Sequence, residues 1–282
     1  MPASGTYGFG LEYLAYGDPS LLGAVVVKSL SARPWAGNPE PRLHPLEPDS
    51  MLNSVGLPNP GVERWVHDTL PDLLASDVRV VASIWGHTPE ELLDAARLMA
   101  HASGVIAWEV NLSCPNLSTS RDLPSHNPVV ARELCSEIRR LAADSVGIWA
   151  KLAPHASDIA AVAGACMNAG VDAVTMTNTY PGMKIDIDTR RPVLGAGGGG
   201  ISGRALKPIA LNLVRIVRHE HPDLPIVAAG GVLTVDDAFD YFDAGANAVQ
   251  VGTANFLDPR STHTIASGVV SRLASARSVQ AR

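Results

Sequence analysis

The sequence predicts an α/β protein folded as a (β/α)₈ barrel. Three observations predict it. Apolar, β-branched runs alternate with amphipathic segments, the rhythm of parallel strands joined by right-handed crossovers. The later strands recur roughly every thirty residues in a 282-residue chain, and a barrel of this kind needs roughly 250. Glycines follow the last two strands, where barrels open anion sites at helix N-termini. On rhythm alone a doubly wound sheet has the same signature. One domain is expected over residues 1–282.

Taken in order, the apolar runs place strands at 24–28, 79–84, 105–112, 147–152, 173–177, 225–229 and 246–251. Helices are expected at 89–101, 128–142, 158–169, 203–220, 235–244 and 260–274. Local signals agree. Thr88-Pro89-Glu90-Glu91 supplies an N-cap, a Pro at the first helical position and acids in the first turn. Ser157-Asp158 and Thr234-Val235-Asp236-Asp237 offer similar starts, and Gly170 and Gly245 offer stops. The Pro- and Gly-rich tract 31–59 is too long for a plain connection, so it reads as a functional loop. At the front, Met1-Pro2-Ala3-Ser4-Gly5 reads as the end of a strand. The expectation is a barrel whose N-terminal hairpin and most of strand 1 are missing.

Composition narrows the function. An apolar share of 46% supports a large core, and a net charge of −6 argues against nucleic-acid binding. The three cysteines, at 114, 135 and 166, have no metal-ligand spacing, so neither a zinc nor an iron–sulfur site is expected. Sparse cysteines suit a reducing compartment. No apolar run long enough for a membrane span and no leader pattern is visible, so a cytoplasmic protein is expected.

The chemistry-bearing residues sit at strand ends. Around 105–112 a buried strand runs into Asn111-Leu112-Ser113-Cys114-Pro115-Asn116, and Pro115 stops it. A thiol and two carboxamides leave the C-terminal end of a core strand together, where α/β enzymes place their chemistry. A lone cysteine before a turn is more often structural; Asn53 and Asn178 at other strand or loop ends tip the balance towards a site. Lys28 and Lys151 end buried strands, which calls for an anionic or electron-rich partner. Ser202-Gly203, Gly230-Gly231 and Gly252-Thr253 form a glycine set suited to phosphate. Gly195 to Gly200 satisfies G-x-G-x-x-G, but only Pro192-Val193-Leu194 precedes it. Without a strand and a helix around it that match is weak, and a flexible loop over the site is expected. His219-Glu220-His221 reads as a solvated helix end.

Together these segments resemble the dihydroorotate dehydrogenases, and among them the class 1B catalytic subunits. The resemblance covers nearly the whole chain. It rests on Pro2-Ala3-Ser4-Gly5, Lys28-Ser29, Met51-Leu52-Asn53-Ser54-Val55-Gly56-Leu57, Asn111 to Asn116, Lys151-Leu152, Asn178-Thr179, Gly182-Met183, Thr189-Arg190, Ser202-Gly203, Gly230-Gly231 and Val251-Gly252-Thr253-Ala254-Asn255-Phe256. The family's fold is an FMN-binding barrel. By resemblance, FMN falls to Ser4, Lys28, Ser29, Ser83, Asn111, Lys151, Thr177, Gly203, Gly230, Gly231, Gly252 and Thr253. Dihydroorotate or orotate falls to Lys28, Asn53, Ser54, Val55, Gly56, Leu57, Asn111, Asn116, Asn178 and Thr179. Cys114 is implied as the base that takes a proton from C5 while hydride leaves C6 for flavin N5. Lys151 is implied to steady negative charge on the reduced ring. The resemblance also implies a partner subunit carrying FAD and an iron–sulfur cluster, in a homodimer or heterotetramer.

Departures from the family pattern stand beside it. Ser83 replaces the usual Asn, and Leu117-Ser118-Thr119-Ser120-Arg121-Asp122 lacks the glycines that let relatives hinge this loop. Two other readings stay open: an FMN oxidoreductase for another dihydropyrimidine, and a catalytically inactive barrel subunit.

Overall fold

The computed structural model describes residues 1–113 and 123–280. In chain order its elements are β1 (Val25–Val26), β2 (Leu43–Leu46), β3 (Ser50–Asn53), α1 (Val62–Asp68), α2 (Leu70–Ala75), β4 (Val80–Ile84) and α3 (Pro89–Met99). There follow β5 (Val105–Asn111), α4 (Pro128–Leu141), β6 (Gly147–Leu152), α5 (Ile159–Asn168), β7 (Ala173–Met176), β8 (Tyr180–Gly182) and β9 (Gly199–Gly203). The chain closes with α6 (Lys207–Glu220), β10 (Ile226–Ala229), α7 (Val235–Asp243), β11 (Ala248–Gln250), α8 (Ala254–Leu257) and α9 (Ser261–Gln280).

Seven strands form one parallel sheet in the order β1-β4-β5-β6-β7-β10-β11, with helices between them. This is the (β/α)₈ architecture that the sequence predicts. Residues 1–3 run parallel to β11, with Ala3 N donating to Val251 O at 2.8 Å and Val251 N to Met1 O at 2.9 Å. The strand end expected at Met1 to Gly5 corresponds to this short segment.

Strand parity separates two cores. Val25, Val80, Trp108, Val110, Ile148, Val174, Ile226 and Val249 face the surrounding helices in the main apolar core. The alternate residues face the barrel axis. There Ala24, Val26, Val81 and Ala107 form an apolar layer, with Met1 and Trp149 packed against it. Further along the same inward faces come Ser83, Glu109, Lys151, Thr175 and Gln250, all buried. The interior thus changes from apolar to polar towards the C-terminal ends of the strands, the face where barrels of this kind carry their sites.

A second sheet, antiparallel in the order β2-β3-β9-β8, lies outside the barrel sheet. It corrects two expectations. The tract 31–59 is not merely a loop, because it holds the β2–β3 hairpin, Leu43 opposite Asn53 through Leu46 opposite Ser50. The glycine run ending at Gly200 is not merely a cover either, because its end begins β9, paired to β3 with Asn53 opposite Gly200. Glycine carries no alternation of polarity, so this strand has no signature. Only hydrogen there allows the close approach: a Cβ at Gly199 would run into the Asn53 backbone, and one at Gly200 into Thr179.

Helix starts follow the caps read from sequence. Thr88 Oγ1 accepts from Glu91 N, Asp158 Oδ1 from Ala161 N, and Thr234 with Asp237 forms a reciprocal capping box. The helix expected from 203 begins as α6 at Lys207, after a 3₁₀ turn, because Gly203 still belongs to β9. The short helices α1 and α2 lie where no helix is expected. Among the described residues no helix is long and apolar enough to cross a membrane.

Candidate functional site

A cleft opens over the C-terminal ends of the strands, roofed by residues of β2, β3 and β9. It holds about 890 Å³ of empty space, including open solvent at its mouth. Barrel residues provide the floor and one wall: Lys28, Lys151, Thr177, Ala229 and Gln250.

The glycine set makes one edge. Gly203, Gly230, Gly231, Gly252 and Thr253 all line the cleft. Gly231 has φ +65, and a Cβ there would meet Gly203 O and Lys207 Cβ, each at 2.7 Å. No other residue fits this turn, and its backbone is brought to the cleft undisguised. Neighbouring side chains hold the edge in place. Tyr241 Oη donates to Gly230 O at 2.5 Å, and Thr253 Oγ1 donates to Ser202 Oγ at 2.9 Å, joining the two loops. Lys207, at the start of α6, donates to Asp237 and to Asp240, the latter at 2.6 Å. With that lysine engaged, the cations lining the cleft among the described residues are Lys28 and Lys151.

The floor is a buried polar network. Glu109, on the inward face of β5, has no exposed surface. Its carboxylate accepts from Lys151 Nζ at 3.2 Å, Thr175 Oγ1 at 3.0 Å and Gln250 Nε2 at 2.6 Å. Two other floor atoms, Thr177 Oγ1 and Gln250 Oε1, are buried and have no partner among the described residues. Orphaned polar atoms are costly unless a ligand satisfies them.

The other lysine has a different setting. Lys28 is half-buried, and burial first, then repulsion from Arg42, pulls its pKa below the usual lysine value; Glu12 offsets this in part. Nearby, three hydroxyls form a chain: Ser4 Oγ to Ser29 Oγ at 3.3 Å, and Ser29 Oγ to Ser83 Oγ at 2.8 Å. Ser4 lines the cleft, whereas Ser29 and Ser83 lie behind it.

On the facing side Asn53 Nδ2 donates to Gly200 O at 3.1 Å, fixing its amide to β9. Asn178 Nδ2 donates to Ser113 Oγ at 2.7 Å, which donates to Asn111 Oδ1 at 2.8 Å. Asn178 Oδ1 accepts from Thr179 N at 2.8 Å. Asn53, Val55, Leu57, Asn178 and Thr179 line the cleft. Ser54 and Gly56 shape the loop from behind, through Asn38 Nδ2 to Ser54 Oγ and Trp35 Nε1 to Gly56 O. Asn111 lies at the end of β5, turned into its own Ser113 turn, and borders a small separate pocket instead. Cys114 and Asn116 lie outside the described residues.

The structure therefore brings Ser4, Lys28, Lys151, Thr177, the glycine set, Thr253 and most of the substrate residues to one cleft. It leaves Ser29, Ser83, Asn111, Ser54 and Gly56 one step behind. Sequence reasoning missed Glu109, Thr175 and Gln250. A signal existed: Glu109 shares strand parity with Asn111, and Gln250 is the polar residue between Val249 and Val251.

Known proteins resemble this chain over nearly its whole length. The family model for dihydroorotate dehydrogenase matches residues 1–273. The chain is 43% identical over 265 residues to the dihydroorotate dehydrogenase B (NAD(+)) catalytic subunit of Geobacillus kaustophilus, covering 94% of this chain and 83% of that one. It is 42% identical over 274 residues to the subunit of the same description from Geotalea daltonii, covering 97% and 88%. In fold it resembles the crystal structure of the Eimeria tenella enzyme in complex with ferulenol, with a TM-score of 0.74 at 21% identity over 94% of this chain and 78% of that one. With nearly the whole chain matched by the family model and by relatives above 40% identity, the chain belongs to the dihydroorotate dehydrogenase family.

Proposed function

We propose that the cleft seats FMN against its glycine edge and polar floor, with dihydroorotate between the flavin and the roof. Family membership makes the chain an FMN-dependent oxidoreductase that oxidises dihydroorotate to orotate in pyrimidine biosynthesis. The observation that carries the placement is the one cleft that joins the glycine edge to a floor with two orphaned buried atoms, Thr177 Oγ1 and Gln250 Oε1. These features fit a phosphate-bearing heterocycle: backbone N–H groups for the phosphate, donors and acceptors for the ring and its tail.

FMN would be held by Ser4, Lys28, Lys151, Thr177, Gly203, Gly230, Gly231, Gly252 and Thr253, with Ser29, Ser83 and Asn111 supporting them. The chemistry it supplies when bound is uptake of a hydride from C6 of dihydroorotate. Lys151, tied to Glu109, would offer its side-chain amine group to the negative charge of a reduced flavin. Lys28 offers an ammonium, and Asn53, Asn178 and Thr179 offer neutral donors and acceptors, to a substrate ring that carries both. Val55 and Leu57 give this side an apolar boundary that excludes water. Cys114 is the base for the C5 proton, with Asn116 beside it in sequence, and a thiolate is suited to that step.

The whole chain acts as one barrel domain. Its relatives are described as catalytic subunits, which implies a partner. We read that partner as a subunit carrying FAD and an iron–sulfur cluster that passes electrons to NAD⁺, in a cytoplasmic homodimer or heterotetramer. The test is anaerobic titration of the purified chain with dihydroorotate, followed by flavin absorption. We expect bound FMN that bleaches with dihydroorotate and not with dihydrouracil. A chain that binds no flavin would overturn the reading; bleaching by dihydrouracil alone would move it to another dihydropyrimidine.

A further inference from the structure

We infer that Glu109 is a positioning residue that sets the hydrogen-bond polarity of the cleft floor, anchoring the Lys151 ammonium as donor and turning the Gln250 amide so that its oxygen is left as acceptor. The inference rests on the FMN reading above and deepens it.

A fully buried carboxylate is expensive, and a well-packed apolar residue in its place is often neutral or stabilising. The layer beneath shows that this barrel can fill its axis with Ala24, Val26, Val81 and Ala107. One layer up, four strands instead converge on one carboxylate: β5 supplies Glu109, and β6, β7 and β11 supply Lys151, Thr175 and Gln250. Three donors satisfy the carboxylate, so it has little need of a ligand itself. What it does is orient others.

The orientation follows from donor and acceptor chemistry. A carboxylate only accepts, so the Gln250 atom 2.6 Å from Glu109 Oε2 must be the amide nitrogen. The amide oxygen is then committed to the other side. Gln250 lines the cleft beside Lys151, and its Oε1 is buried without a partner among the described residues. Lys151, only 6% exposed, is likewise tethered on one side by Oε1 of the same carboxylate. The floor thus presents a fixed cation and a fixed acceptor side by side. That pair matches a cofactor offering an electron-rich carbonyl or ring edge together with an N–H or hydroxyl donor. Thr175, held on Oε2, stops the carboxylate from rotating.

The test measures FMN affinity and the flavin midpoint potential in Glu109→Gln, Glu109→Asp, Gln250→Met and Lys151→Met, with thermal stability of each flavin-free chain recorded alongside. Glu109→Gln should weaken FMN binding by on the order of tenfold, the worth of one buried hydrogen bond, and shift the potential to more negative values, as Lys151→Met does, against the positive shift that loss of a buried negative charge alone gives. Glu109→Asp should recover part of both. Gln250→Met, which keeps the volume and the Lys151 contact, should weaken FMN binding on the same scale and leave the potential closer to the parent. Adding Glu109→Gln to Lys151→Met should shift the potential no further in the negative direction, because that part of the effect runs through Lys151. If Glu109→Gln lowers thermal stability but leaves FMN affinity within twofold of the parent and the potential unshifted, Glu109 is structural and the inference is wrong. If Glu109→Gln does not fold, Gln250→Met decides, and undiminished FMN binding there overturns it. A parent chain that binds no FMN removes the functional reading itself, a separate result from either.

Discussion

Lys28 lies just beyond β1 and Lys151 near the end of β6, yet only one has a carboxylate. Glu109 pairs with Lys151, while no carboxylate pairs with Lys28 among the described residues. Burial lowers the Lys28 pKa, with Arg42 adding to it. The unfolded chain therefore holds that proton to higher pH than the folded one. The cost of burying the ammonium is fully present below the folded pKa and disappears above the unfolded value, about 10.4. An anionic ligand offsets it. Lys28→Met should thus leave the ligand-free chain as stable as the parent or more so at pH 7, and lower dihydroorotate affinity by on the order of 10–100-fold. Denaturation curves with binding titrations check both, and a variant that is less stable yet binds normally would contradict the assignment. For Cys114 the expected effect is kinetic. Cys114→Ala should keep its flavin but slow reduction by dihydroorotate by on the order of 10²–10⁴, the usual worth of a positioned base. Stopped-flow flavin bleaching at the parent rate would make Cys114 structural. At this scale much was legible, because Lys28, Lys151, Asn53 and Asn178 are polar residues at apolar strand or loop ends. Glu109 and Gln250 were not read, since a single polar residue inside an apolar strand looks like noise until four strands bring their inward positions together.

Elements were legible in proportion to how strongly their pattern departs from background. The β-branched strands β4, β5 and β6 and the capped helices α3, α5 and α7 lie within a residue or two of where sequence put them. The roof sheet was not legible, because β9 is mostly glycine and β2 contains Pro45, both weak strand formers. Among the legible elements α7 carries a testable consequence for the site. Asp237 caps it and also ties down Lys207 at the start of α6, under the glycine edge. Burial raises the Asp237 pKa, but Lys207, the Leu233 N–H and the Thr234 side chain outweigh it, so the net shift is downward. A carboxyl with a lowered folded pKa stabilises above its unfolded value, near 3.9, and loses that contribution as pH falls through the folded value. Asp237→Asn should therefore cost about 1–2 kcal/mol at pH 7, and the gap to the parent should close as pH falls below 3.9. Urea denaturation at a series of pH values measures it; a gap that is constant with pH would mean that the cap works by shape and not by charge.

Over the whole molecule the question is where the electrons go after dihydroorotate is oxidised. Two features of these 282 residues favour the proposed partner over a direct route to NAD⁺. The G-x-G-x-x-G at 195–200 runs into β9, which is antiparallel to both β3 and β8. A dinucleotide site needs a parallel strand before the glycines and a helix straight after them, so this run is roof and not nucleotide cradle. The cysteines give no alternative. Cys135 and Cys166 are buried between α4 and α5 with their sulfurs 3.9 Å apart, and a cluster of the usual kind takes four thiolates. On the proposed reading the cleft takes one flavin and one substrate, and the second half-reaction falls to the partner that the relatives' description as catalytic subunits implies. The purified chain should pass electrons from dihydroorotate to a small artificial dye that can reach the cleft, but form NADH only slowly. The assay is steady-state NADH formation by the chain alone, with dye reduction as the control for a competent first half-reaction. NADH formation as fast as dye reduction would sink the two-component reading. Rapid fumarate reduction would show that the chain discharges its flavin to a second small acid in the same cleft.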